Sequence, residues 1–242
     1  FRLIDETLDS SCLEDSLFNQ CTIRGKTSGS CLDLGEKQYN VGSFGCVIDN
    51  IVLSSAASGS ALKSNGNLLV IGNGVICDGE SLDIDGTAAV TKNTSIAIHS
   101  GTFGNILSGS GTLTNTVLVR DAAVTGTLSG QGAGTTVLYV GGASSAGCID
   151  NASKVILYDL KGGSKISEIQ SASSVIFDSS KVILGEDSET YALQDIESIV
   201  LRCGSIVTLC SPIDDISAYS SADGSNTLII GGSFDLLSDQ VS

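Results

Sequence analysis

The sequence contains no Met and no Trp, a single Pro at Pro212, a single His at His99, and only 5% aromatic residues. Basic residues are also scarce, twelve against 27 acidic ones, for a formal net charge of −15. Those twelve are scattered, which excludes nucleic acid and anionic membrane surfaces as partners, because polyanions need clustered Lys and Arg. No run of eighteen apolar residues occurs, so the chain is not expected to span a membrane as a helix. There is no C-x-x-C pair to join the lone histidine in a zinc site. The glycine-containing stretch "GNGVICDG" at 72–79 lacks the Lys-Ser or Lys-Thr ending of a phosphate loop. A chain without Met that begins at Phe1 is expected to be a mature form whose leader has been removed.

What is present is 41% hydrophobic residues, mostly Val, Ile, Leu and Ala, together with 29 Gly and 38 Ser. The branched aliphatics are strand formers, and Gly, Ser, Asn and Asp make turns. A phrase of three or four apolar residues bounded by polar and turn residues recurs along the chain: "NLLVIGNG", "TSIAIHSG", "NTVLVRDA", "TTVLYVGG", "SKVILYDL", "SSVIFDSS", "ESIVLRCG" and "NTLIIGGS". Taking the first core apolar residue of each as marker gives Leu69, Ile96, Val117, Val137, Val155, Val175, Ile199 and Leu228. The spacings are 27, 21, 20, 18, 20, 24 and 29 residues, regular in the middle and looser at both ends. Weaker strands with alternation lie between copies, at 105–107, 124–128 and 165–169.

A unit of about twenty residues with two or three short strands has no room for a crossover helix and cannot bury its own apolar face, so it must stack on its neighbours. The expected fold is all-β: a single-domain parallel β-solenoid, or β-helix, with coils of about twenty residues. An antiparallel β-sandwich is the alternative; it accounts for short strands but not for phrases at near-constant spacing. Phe103, Phe177 and Phe234 are expected to fill the interior, and "SGSG" at 108–111 and "GQGAG" at 130–134 to form tight corners.

Residues 1–45 differ from the rest. Their first twenty residues carry five acidic side chains against one basic, and cysteines are dense from Cys12 to Cys46. This segment is expected to be an N-terminal Cys-rich acidic cap or arm, with the solenoid occupying 46–242. The eight cysteines, Cys12, Cys21, Cys31, Cys46, Cys77, Cys148, Cys203 and Cys210, are an even set pointing to disulfides and an oxidising, extracellular compartment. Eight buried free thiols are the alternative. Cys203 and Cys210, seven residues apart, are the expected local bridge, and the four N-terminal cysteines the expected intersubunit bonds. Asn93 and Asn151 head N-x-S/T sequons, each just before a core strand, which would place glycans at corners.

No catalytic, cofactor or metal residues are assigned. The carboxylate pairs Asp214 with Asp215, Asp78 with Glu80 and Asp83 with Asp85 are the candidates for glycoside hydrolysis, and Asp83 with Asp85 also for calcium. Adjacent strand residues face opposite ways, which separates Asp214 from Asp215 unless they sit in a turn. With 27 acidic residues such pairs arise by chance, and His99 has no nucleophile placed beside it by a motif.

The segment 94–142 resembles the AIDA-type repeats of bacterial autotransporter adhesin passengers. Gly111-Thr112-Leu113-Thr114-Asn115-Thr116-Val117-Leu118-Val119 matches their G-T-x-x-N-T-x-V pattern, and Gly134-Thr135-Thr136-Val137 with Gly141-Gly142 matches in part. The match covers about a third of the chain. It implies a parallel β-helix displayed outside a cell, acting in adhesion or self-association. Eight cysteines and the lack of a C-terminal barrel sequence depart from that pattern and favour an assembled subunit stapled by disulfides. The expectation is therefore an extracellular structural protein that forms a homopolymeric fibre, tube, sheath or layer, with neighbouring cell-surface components as further partners. An adhesin passenger and a carbohydrate-active β-helix enzyme are the alternatives.

Overall fold

The computed structural model describes backbone and side chains for residues 97–108, 114–130, 136–186 and 190–229, and strand backbone alone at further strands from Arg2 to Ile230. The described chain is all-strand and parallel, a β-solenoid with a spacing of about 21 residues per coil. Between Thr94 and Ser221 it makes about six turns.

Each turn carries three parallel ladders, so the solenoid has three faces. In one coil Asn115–Arg120 lies on the first face, between Thr94–His99 and Thr136–Gly141. Ala122–Val124 lies on the second face, between Gly101–Phe103 and Ser145–Ala146, and Thr127–Ser129 on the third, below Cys148–Asp150. The register slips between Val124 and Thr127, where the chain rounds the corner between the second and third faces. Strand backbone described within 1–45 pairs in the same parallel way, Thr22–Arg24 with Val52–Ser54 and Leu32–Asp33 with Leu62–Lys63. The cap or arm as a whole lies outside the described residues.

The backbone register of the first face runs Leu69, Ile96, Val117, Leu138, Val155, Val175, Ile199 and Tyr219; from Val117 to Ile199 it forms a buried interior ladder, and Tyr219 at its end is exposed. This corrects two of the sequence markers. Val137 stands over Thr116 on the outer side, and Leu138, fully buried, is the interior residue. Matching Thr136-Val137 to Thr116-Val117 by identical letters slips the register by one, and a one-residue slip exchanges inside for outside. Leu228 belongs to the second face, in register with Val207, and Tyr219 is the first-face residue of the last described rung. Phe103 and Phe177 are wholly buried, as expected; Phe234 lies outside the described residues.

The corners are built from left-handed residues that are mostly not glycine. At the corner between first and second faces, Ser100, Asp121, Gly142, Asp159, Ser179 and Cys203 all have φ between 49° and 72°. At the corner between third and first faces, Asn151, Ser171, Asp195 and Asp215 have φ between 48° and 54°. Asn and Asp tolerate this conformation because their short polar side chains hydrogen-bond locally. A buried serine follows in several coils and caps backbone groups that the bend exposes. Ser180 Oγ donates to Leu157 O at 2.8 Å and accepts from Leu160 N at 3.2 Å, and Ser205 Oγ accepts from Ser180 N at 3.1 Å. Serines thus serve the corners both as left-handed residues and as buried caps. "GQGAG" is described only at Gly130, where a Cβ would run into Asn151 O and whose carbonyl accepts from the hydroxyls of Ser108 and Thr136.

Candidate interaction face

Why do the first-face strands read as unbroken apolar runs? Their inward residues are the buried ladder just described. Their outward residues form a second ladder, Ala97, Leu118, Tyr139, Ile156, Ile176 and Val200, each half-buried by the rungs above and below. A sheet with one wet side alternates apolar and polar, whereas continuous aliphatic strands mark a parallel sheet covered on both sides. The first-face strands make their extensive contacts with strands above, below and next along the coil. Among the described residues no other strand makes extensive contact across its outer side, so the outward ladder forms an apolar strip there.

The sequence reading missed these residues as functional ones. From sequence alone such a run fits a strand buried on both sides, because periodicity cannot separate the two sides of a continuous run. The available signal was the run itself, three or four consecutive apolar residues where a strand exposed on one side alternates apolar with polar.

Polar residues border the strip. Along the corner with the second face, Arg202 Nε and Nη2 both donate to Asp178 Oδ2, at 3.0 and 2.7 Å, and Arg120 lies 3.7 Å from Asp121 and 3.6 Å from Asp159. The Arg120 guanidinium also lies 5.8 Å from the centroid of the Tyr158 ring. Tyr139 and Tyr158 meet edge-on with centroids 6.4 Å apart. A Cβ at Gly141 would collide with the Tyr158 ring, so glycine there lets that ring lie down on the sheet. Exposed Lys154 and Glu197 border the opposite edge. An apolar centre with Tyr and Arg at its margin and a polar rim is the make-up of a protein contact surface.

The remaining sequence candidates do not converge. His99 is exposed on the outer side of the first face, in register with Arg120. Asp214 pairs with Gln194 on the third face, while Asp215 occupies the left-handed corner position and is exposed. The turn condition for sharing a cleft is thus met only by Asp215. Asp78, Glu80 and Asp83 are described as strand backbone, Asp78 on the second face and the other two on the third, and Asp85 lies outside the described residues. Among the described residues no three His, Cys, Asp or Glu side chains gather as a metal cluster. Asn151 is exposed at the corner before a first-face strand, the place expected for its sequon, and Asn93 lies outside the described residues.

Cys148, Cys203 and Cys210 are free thiols, so the expected Cys203–Cys210 bridge is not formed. The reason is geometric. The extended strand Ile206–Leu209 stands between them. At the usual strand rise it alone spans on the order of 10 Å, beyond the ~7 Å Cα separation a disulfide allows. Cys12, Cys21, Cys31 and Cys46 lie outside the described residues, and Cys77 is described as strand backbone alone.

Cys148 lines an open groove of about 310 Å³ at the corner between second and third faces, with Gly126, Gly147, Ser167, Glu168 and Glu186. Burial pushes its thiol up to about 12, helped by the charges of Glu168 and Asp150. The thiolate is the nucleophile, so at neutral pH this groove holds an inert thiol. Exposed Cys203 is also raised, chiefly because its thiol hydrogen-bonds the Asp178 carboxylate. Peptide mapping after iodoacetamide at pH 8 is expected to show Cys148 alkylated roughly thirtyfold more slowly than free cysteine, after allowing for the greater nucleophilicity of a more basic thiolate. Asp178→Asn is expected to speed labelling of Cys203 and leave Cys148 unchanged. Stability follows the same proton: it is fully present below the ordinary value of 9.0 and is lost as pH rises through about 12, because the unfolded chain ionises first.

No protein-family model, curated protein or solved structure matches the chain. The class defined by fold and surface is a parallel β-solenoid with one face apolar on both sides.

Proposed function

We propose that the protein is an extracellular structural protein that self-assembles into a surface fibre, tube, sheath or layer, with cysteines outside the described solenoid forming bonds between subunits. The outward aliphatic ladder of the first face carries this reading. The strip adds an apolar outer row to a coil whose interior is already filled by the buried ladders, and it is regular over six rungs. The rung-on-rung design suits a load-bearing element, since each coil is held by its neighbours through a full set of backbone bonds. The resemblance to AIDA-type repeats points the same way, toward a displayed β-helix that associates with itself.

The test is electrophoresis of native material with and without thiol, combined with electron microscopy. A ladder or insoluble mass that collapses to a 24.6 kDa band on reduction, with filaments or sheets on the grid, is the expected result. A plain monomer under both conditions, with no ordered assembly visible, overturns the proposal.

A further inference from the structure

We infer that the outer side of the first face is the contact between two copies of this chain, packed face to face with their solenoid axes antiparallel. The inference rests on the self-assembly proposal and names the surface that performs it. Three observations favour a second copy over another occupant.

The first is shape. The strip is a ladder of side chains on a regular sheet, kept low by Gly141 beneath Tyr158, and two sheets pack face to face by interdigitating such rows. The second is size. Five residues of strand by six rungs gives a flat area of about 500 Å² per copy at standard strand spacings. The pair thus covers about 1,000 Å² before side-chain relief is counted, at the threshold for a specific interface.

The third is charge. The rim carries both signs, Arg120, Lys154 and Arg202 with Asp159, Asp178 and Glu197. A uniformly acidic or basic partner would oppose half of it, whereas a copy of the same face brings both signs. A two-fold axis lying along the strands, midway between the Tyr139 and Ile156 rungs, places Leu118 against Ile176 and Tyr139 against Ile156. It also sets Arg120 of each copy opposite Asp178 of the other.

Sedimentation velocity over a range of concentrations tests this, using the full chain under reducing conditions so that only non-covalent contacts count. The variants are Ile156→Lys with Ile176→Lys on the first face, and Gln170→Lys with Gln194→Lys on the outer side of the third face as charge-matched controls. Circular dichroism and a thermal melt establish that each is folded. The expected result is a wild-type dimer or larger species, a control that associates like wild type, and a first-face variant at least a hundredfold weaker. If the folded first-face variant associates as tightly as wild type, the face assignment is wrong while self-assembly stands. If reduced wild type stays monomeric at every concentration, the face assignment falls, and self-assembly is decided separately by the non-reducing electrophoresis and microscopy above. Should Ile156→Lys with Ile176→Lys fail to fold, Tyr139→Ser with Leu118→Ser gives the same reading with no added charge.

Discussion

Leu138→Asp is expected to leave the chain unfolded, while Val137→Asp, one residue away, is expected to shift stability by no more than about 1 kcal/mol. Leu138 is wholly buried between Val117 on one rung and Val155 on the next. Removing a buried leucine costs about 2–5 kcal/mol, and a carboxylate with no partner in an aliphatic interior adds several more. Together these rival the entire stability of an ordinary domain, about 5–15 kcal/mol. Val137 faces out, in register with Thr116 and Lys154, and an aspartate there gains a neighbouring cation. Far-UV circular dichroism and urea titration of the two variants decide the matter. An unfolded Val137→Asp beside a folded Leu138→Asp would restore the register read from matching letters and discard the ladder described above.

That contrast also shows what the sequence discloses and what it hides. The first face was legible because its strands are apolar on both sides, so "TVLVR", "KVILY" and "SVIFD" stand out from a background of Gly and Ser. The second and third faces are shorter and use small residues, such as Ala122-Ala123-Val124 and Ser145-Ala146, which carry little periodic signal. The corners were expected from glycine. They are instead formed largely by Asp121, Asp159, Ser179, Asn151, Ser171 and Asp195 in the left-handed conformation, and such residues are common everywhere in this chain. The slip at Val137 has a similar cause. Thr136 copies Thr116 in letter but takes the place of Asn115 in the ladder, buried at the strand start with its hydroxyl donating to Gly130 O at 3.3 Å. The last rung lost its marker because Tyr219-Ser220-Ser221 has one apolar residue in three, leaving "NTLIIGGS" on the next face to take its name.

The interaction face was hidden by the same feature that made its strands visible. A continuous run does not say which side is inside, and only the ladder register separates Val117 from Leu118 and Val175 from Ile176. Composition reveals that acidic residues dominate the chain, but not that Arg120, Lys154 and Arg202 border one strip. The chain brings together 27 carboxylates in total, yet the rim of this strip is mixed in sign.

The second large effect is expected at Phe177. Its ring is fully buried on the first face between Leu157 and Leu201, the largest described interior side chain together with Phe103. Truncation to alanine costs about 3–5 kcal/mol in lost transfer energy and cavity. In a compact domain such a loss lowers one cooperative transition. A solenoid differs, because its cooperativity is the sum of contacts between adjacent rungs, and weakening one interface uncouples what lies on either side. Phe177→Ala is therefore expected to lower the calorimetric midpoint and also to split or broaden the transition, with the coils after Asp178 melting first because fewer rungs support them. Limited proteolysis should then open sites in 198–221 before those in 115–158. Phe103→Ala, of equal volume loss, sits between Cys77 and Val124 on the second face. It should destabilise comparably but leave the coils after Asp178 protected. A single transition of unchanged width in Phe177→Ala, with cleavage spread evenly along the chain, would mean that the rungs are coupled more globally than nearest-neighbour stacking allows.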